Sequence, residues 1–122
     1  MRVEIKNHDA AKYVPKLPED AEIVGKIVQR GNGGTGALVL LDTWEFVQIT
    51  DGVQCDLDQK AVYTAIVNAI VDGYCDECVD LAIAAGSSLD TVWSWKSGRR
   101  TPTFGTIKLL LVNYGIIKRC IC

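Results

Sequence analysis

The sequence predicts an α+β fold, a small N-terminal antiparallel β-meander packed on a C-terminal helix-turn-helix bundle. Three observations lead there. Through residue 56 the chain is a series of short apolar or alternating runs, broken by Gly, Pro and Asp turn signals. From residue 58 onward the apolar residues recur at helical spacing. Between 78 and 98 two short helical patterns are punctuated by Gly86 and Gly98. The expected division is a sheet lobe with a Gly-rich hairpin at 1–57 and a helix-turn-helix domain at 58–122.

Residues 2–6 alternate, with Val3 and Ile5 on one face and Arg2, Glu4 and Lys6 on the other, which predicts a half-buried strand. Asn7-His8-Asp9 starts a turn of helix through Lys12, and Pro15 and Pro18 make 15–20 a loop. A second strand is expected at 22–30. Gly31-Asn32-Gly33-Gly34-Thr35-Gly36 follows, then the apolar run Ala37 to Leu41. Those glycines satisfy a dinucleotide-binding pattern, but that motif needs a helix whose N-terminus holds the pyrophosphate. Here they open onto a strand, so a hairpin is predicted. A turn at Asp42-Thr43, a strand over Trp44–Ile49, the Asp51-Gly52 turn and a short strand at 53–56 complete the meander.

Asp58 is placed to cap a helix that runs to Asp72 and ends at Gly73. Val62, Ile66, Ala69 and Ile70 line one face, and Tyr63, Val67 and Val71 another. A helix apolar on two faces is buried from both, so it is expected as the hub between sheet and bundle. Helices at 78–85 and 89–97 follow, the second with Val92 and Trp95 on its inner side and Ser88 able to cap it. Thr101 and Pro102 are expected to start the last helix, Pro being favoured in a first turn. Its core stripe is Ile107, Leu110, Leu111 and Tyr114, and Gly115 stops it. Leu109, Val112 and Ile116 form a flank open to the sheet or to a second subunit.

Residues 78–116 resemble the Cro/repressor-type helix-turn-helix family of bacterial and phage regulators. Leu81-Ala82 and Ala85-Gly86 stand at the family's Leu-Ala and Ala-Gly. Val92 and Trp95 occupy the apolar positions of its recognition helix. Gly98-Arg99-Arg100 and Pro102 match its Gly-basic-basic-x-Pro, and Ile107, Leu111, Tyr114 and Gly115 its fourth-helix pattern. Two positions depart from the pattern. Ser87 replaces an apolar turn residue, so a hydrophobic staple to Val92 is missing. Cys78, beside Glu77 and Asp80, replaces a Gln that often touches DNA, and acidic groups there repel phosphate.

The chain of 122 residues has a net charge of −2, which by itself does not suggest a nucleic-acid binder. Its distribution does. Residues 1–86 hold seven Lys and Arg against fourteen Asp and Glu, whereas 87–122 hold Lys96, Arg99, Arg100, Lys108, Lys118 and Arg119 against Asp90 alone. An acidic half joined to a basic half predicts two surfaces with different partners. The apolar content of 48% suffices for a core, yet no run is long enough to span a membrane. The polar start of the chain is unlike a signal peptide, so a cytoplasmic protein of a bacterial host cell is expected.

Little in the sequence points to catalysis or to a cofactor. His8 is the single histidine and has no Cys or Asp partner close in sequence beyond its own turn, and no nucleophile and base stand together, so an enzyme is not expected. Cys75-x-x-Cys78 with Cys120-x-Cys122 could close a four-thiolate zinc site, but the second pair has irregular spacing and a terminal position. No metal is predicted. A redox role for Cys75 and Cys78 is disfavoured because no thioredoxin-like strand precedes them.

What the resemblance implies is a sequence-specific regulator, a repressor of phage or mobile-element type, that reads the major groove of double-stranded DNA with helix 89–97. The implied contacts are Ser88, Leu89, Asp90, Thr91, Trp93, Ser94, Lys96, Ser97, Arg99 and Arg100. Leu89, Asp90, Trp93, Ser94 and Ser97 lie opposite Val92 and Trp95 by helical phase and are the base-facing set. That set lacks Arg, Asn and Gln, the strongest bidentate readers, but Leu89 and Trp93 suit thymine methyls and Asp90 suits a cytosine amine. Lys96, Arg99 and Arg100 suit phosphate. Family members bind two-fold sites as dimers, so a homodimer is implied. The alternative is a small phage inhibitor, similar in plan to some anti-CRISPR proteins, whose acidic N-terminal lobe docks a basic host nucleoprotein surface.

Overall fold

The computed structural model describes residues 1–5, 8–29 and 34–118. It is α+β, with an antiparallel sheet followed by four helices. The chain divides into two compact units, Met1–Val62 and Tyr63–Cys122.

The first unit is a meander of β1 (Arg2–Ile5), β2 (Glu22–Val28), β3 (Thr35–Leu40), β4 (Phe46–Thr50) and β5 (Val53–Asp56), in that spatial order and antiparallel throughout. The central strand β3 is a continuous apolar run because it is buried on both faces. Cross-strand register pairs Val39 with Val47 and Ala37 with Ile49 on one face, Leu40 with Phe46 and Leu38 with Gln48 on the other. A 3₁₀ helix at His8–Tyr13, where a turn of helix through Lys12 was expected, and the loop after it complete the first face. Ala10, Val14 and Ala21 pack there with Ala37, Val39, Val47 and Ile49. Tyr13 also accepts a hydrogen bond through its carbonyl from Gly52 N–H at 3.2 Å. At Gly25 the strands approach so closely that any Cβ would collide with the Glu4 carbonyl.

Two turns carry the meander. Asp51 and Gly52 both adopt positive φ, 52° and 81°, as a type I′ hairpin turn requires. The other differs from expectation. Trp44 belongs to the turn and not to a strand. Its φ is 65°, Trp44 N–H donates to the Leu41 carbonyl at 3.0 Å, and Leu41 N–H donates to Glu45 O at 2.9 Å. Closing a three-residue loop demands a left-handed third residue, and that demand overrides the strand preference of tryptophan. Residues 30–33 of the Gly-rich stretch lie outside the described residues. On either side of them Gln29 N–H donates to Gly34 O at 2.8 Å, and Thr35 begins β3, so the stretch opens onto a strand, as the hairpin reading expected.

Helix α1 (Gln59–Tyr74) starts in the first unit and continues into the second. Asp58 Oδ1 accepts from Lys60 N–H at 3.1 Å and Ala61 N–H at 3.4 Å, the expected N-cap. Gln59 uses its side-chain amide like a strand residue, accepting from Phe46 N–H at 2.9 Å and donating to Phe46 O at 2.8 Å. The helix does not stop at Gly73 but runs one residue further.

The second unit adds α2 (Cys78–Ala85), α3 (Leu89–Ser97) and α4 (Phe104–Asn113) to the rest of α1. Helix α4 starts later than expected. Thr103 is its N-cap, accepting from Thr106 N–H, while Pro102 lies buried ahead of it. A hydroxyl acceptor beats a proline as a helix start because it satisfies an otherwise orphaned N–H. Ile66, Val67, Ile70, Leu81, Val92, Ile107, Leu110 and Leu111 are fully buried, whereas Leu109 and Val112 are exposed. Among the described residues no helix is long and apolar enough to cross a membrane.

Candidate nucleic-acid interface

Helices α2 and α3 pack against each other across a turn of three residues, and the local chemistry of that turn is complete. Gly86 adopts φ 66°, which lets its own N–H reach Ile83 O and Ser87 N–H reach Ala82 O at 2.9 Å. These are the two bonds of a Schellman motif, and a residue with a Cβ would be strained there. Ser88 then caps α3, its Oγ accepting from Thr91 N–H at 3.2 Å. Gly98, at φ 78°, closes α3.

The inner side of α3 is Val92 and Trp95, as the spacing predicts. Its outer side presents Trp93, 54% exposed, together with Asp90 and Ser97, which are also exposed. Leu89, Thr91 and Lys96 are half-buried at its margins, and Ser88, Arg99 and Arg100 are exposed at its two ends.

Ser94 is the correction. It is 4% exposed and cannot face a base edge. Its hydroxyl donates to the Asp90 carbonyl at 3.1 Å and accepts from Arg99 Nη2 at 3.0 Å. A short side chain on the shoulder of a helix sinks beneath longer neighbours even when helical phase puts it outside. Arg99 therefore lies back along α3 instead of projecting freely, while Arg100 is anchored by its backbone, donating to Ser94 O at 3.2 Å.

Lys96 is also held. Its ammonium donates to Cys78 Sγ at 3.6 Å, and its carbonyl accepts from Asn68 Nδ2 at 3.0 Å. Asn68 donates to Thr64 O as well, so one amide ties α1 to the end of α3. Sequence reasoning passed over Asn68, although an amide in the middle of an apolar helix is a signal that it bonds another element. The acidic residues at the start of α2 have a structural use. Asp80 Oδ2 accepts from Glu77 N–H and Asp76 N–H, both at 3.1 Å, supplying the acceptor that an α-helix N-terminus lacks.

Near this site Cys75 Sγ lies 3.5 Å from the Tyr114 hydroxyl, and Tyr114 stacks obliquely on Tyr74 with ring centroids 5.5 Å apart. Burial, the hydrogen bond with Cys75 and the negative charge of Cys75 and Asp80 push the Tyr114 phenol up to about 12. Among the described residues no three Cys, His, Asp or Glu side chains come together as a metal site. Cys120 and Cys122, like Arg119 and the side chain of His8, lie outside the described residues.

No protein-family model, curated protein or solved structure matches this chain.

Proposed function

We propose that the chain is a sequence-specific double-stranded DNA-binding regulator, acting as a homodimeric repressor of phage type, with α3 as its reading helix. One observation carries the reading. A capped α3 buries Val92 and Trp95, presents Trp93, Asp90 and Ser97 on the opposite side, and ends in the exposed cations Arg99 and Arg100. This is the arrangement a major groove accepts, base-facing groups on a helix and phosphate-facing cations at its end. The readers are few and mostly apolar, so the favoured contacts are Trp93 with thymine methyls and Asp90 with a cytosine amine. Ser94 has no part in base contact under this reading.

The test is duplex binding at several salt concentrations, followed by selection of a preferred sequence from random duplexes. A regulator gives a motif and a steep salt dependence. Replacing Arg99 and Arg100 with Ala should weaken all duplexes alike and flatten the slope of log affinity against log salt by about two units. A wild-type protein with neither motif nor salt slope overturns the reading, and directs attention to a protein partner for the acidic half.

A further inference from the structure

The junction of α1 and α2 carries two thiols whose surroundings differ from those of ordinary packing cysteines. Cys75 follows the last residue of α1, Cys78 is the first residue of α2, and only Asp76 and Glu77 separate them. Both are half-buried and neither is in a disulfide. Each sulfur faces a polar group on a different segment of the chain. Cys78 Sγ receives the Lys96 ammonium of α3 at 3.6 Å, and Cys75 Sγ sits 3.5 Å from the Tyr114 hydroxyl just beyond α4. The absence of a thioredoxin-like strand before them disfavours a redox role, but the groups beside these sulfurs favour one.

We propose that Cys75 and Cys78 are a hydroperoxide-sensitive dithiol, and that closing it into a disulfide releases Lys96 from α2 and so changes how α3 engages its ligand. Cys78 sulfur attacks the peroxide, forming an S–O bond as the O–O bond breaks. The departing oxygen takes a proton and leaves as an alcohol, or as water from hydrogen peroxide, and Cys78 becomes a sulfenic acid. The sulfur of Cys75 then attacks that sulfur as its thiol gives up its proton. The S–S bond forms, the S–O bond breaks, and the leaving hydroxide takes up the Cys75 proton as water. Two thiols have lost two electrons to one peroxide.

Lys96 is a positioning residue for the first step, since an ammonium that donates to the Cys78 sulfur also donates to the oxygen it acquires. In the disulfide both sulfurs bond to each other, so Lys96 loses its acceptor and Tyr114 its neighbour. The consequence for binding rests on the DNA-reading function proposed above, whereas the dithiol chemistry does not.

The experiment uses the full chain with Cys55, Cys120 and Cys122 changed to Ser, treated with hydrogen peroxide and mapped without reduction. The expected product is an intramolecular Cys75–Cys78 disulfide that dithiothreitol reverses. Lys96→Met should slow thiol loss on the order of tenfold with the helical circular dichroism unchanged. Duplex DNA affinity should differ between the reduced and oxidised forms, and Cys75→Ser should abolish that difference. Thiols that stay reduced, or that over-oxidise or cross-link between chains without forming the internal bridge, overturn the proposal. So does a disulfide whose rate ignores Lys96, or one that leaves a measurable duplex affinity unchanged. If neither form binds duplex, the DNA reading fails by itself, and the disulfide map and the Lys96→Met rate still decide the dithiol.

Discussion

Arg99 donates through Nη2 to the hydroxyl of Ser94 at 3.0 Å, five residues back and on the shoulder of α3. The same hydroxyl donates onward to the Asp90 carbonyl at 3.1 Å. This chain holds a cation of the candidate phosphate contacts against the helix, so less of its side-chain freedom is lost on binding. Ser94→Ala removes both bonds and should cost about 0.5–1.5 kcal/mol in urea unfolding. Its effect on duplex affinity should be smaller than that of losing Arg99 and Arg100. An equal loss of affinity would return Ser94 to the reading set.

The start of α1 offers a stability test with two arms. Asp58→Ala removes the acceptor for Lys60 and Ala61 N–H, and a lost N-cap costs about 0.5–2 kcal/mol. Ile66 is fully buried on the same helix, and truncation to Ala should cost about 2–5 kcal/mol. Chemical denaturation of both variants checks the order, and a larger loss at Asp58 would contradict it.

Two glycines should respond in opposite directions to the same change. Gly73 lies inside the last turn of α1 with open space where a Cβ would go. Gly73→Ala should therefore stabilise by about 0.5–1 kcal/mol, because alanine is the better helix residue. Gly86 has open space too, but its φ of 66° is left-handed. Gly86→Ala should destabilise by about 1–2 kcal/mol. Thermal melts of the pair separate conformational strain from steric room, since room is available at both sites.

Tyr114 makes stability depend on pH at the alkaline end. Its phenol ionises near 10.0 when unfolded and near 12 in the folded chain, with burial the leading cause. The folded state thus holds the proton where the unfolded state has released it, and stability falls as pH rises between those values. The contribution is fully present below pH 10 and lost by about 12. Tyr63, raised by burial, acts with the same sign. Unfolding followed from pH 8 upward should show the decline, reduced in Tyr114→Phe. A profile in Tyr114→Phe identical to wild type would assign the decline elsewhere.

The elements of this protein were legible in local chemistry. Asp51-Gly52 demands a hairpin turn because only certain residues accept positive φ, and Asp58, Ser88 and Gly86 mark helix ends because they satisfy orphaned N–H and carbonyl groups. Val92 and Trp95 fall on the inner side of α3 because a helix repeats every 3.6 residues. All of these depend on neighbours within a few positions, which a sequence displays directly.

Other arrangements, local and distant, were decided only in the folded chain. Tryptophan at position 44 looks like strand, and loop closure places it in a turn. Ser94 has an outward phase, and the reach of Arg99 across it makes it buried. Asp80 and Glu77 look like a barrier to phosphate, yet Asp80 caps α2. Asn68 meets Lys96, and Cys78 meets Lys96, across gaps of 28 and 18 positions. By itself the sequence determined the order of the secondary-structure elements, most of their extent and the inner face of α3, because propensity, capping and periodicity are local. The tertiary structure alone decided which polar groups on and around α3 are free and which are spent, because a hydrogen bond between helices requires both partners within about 3 Å and aligned.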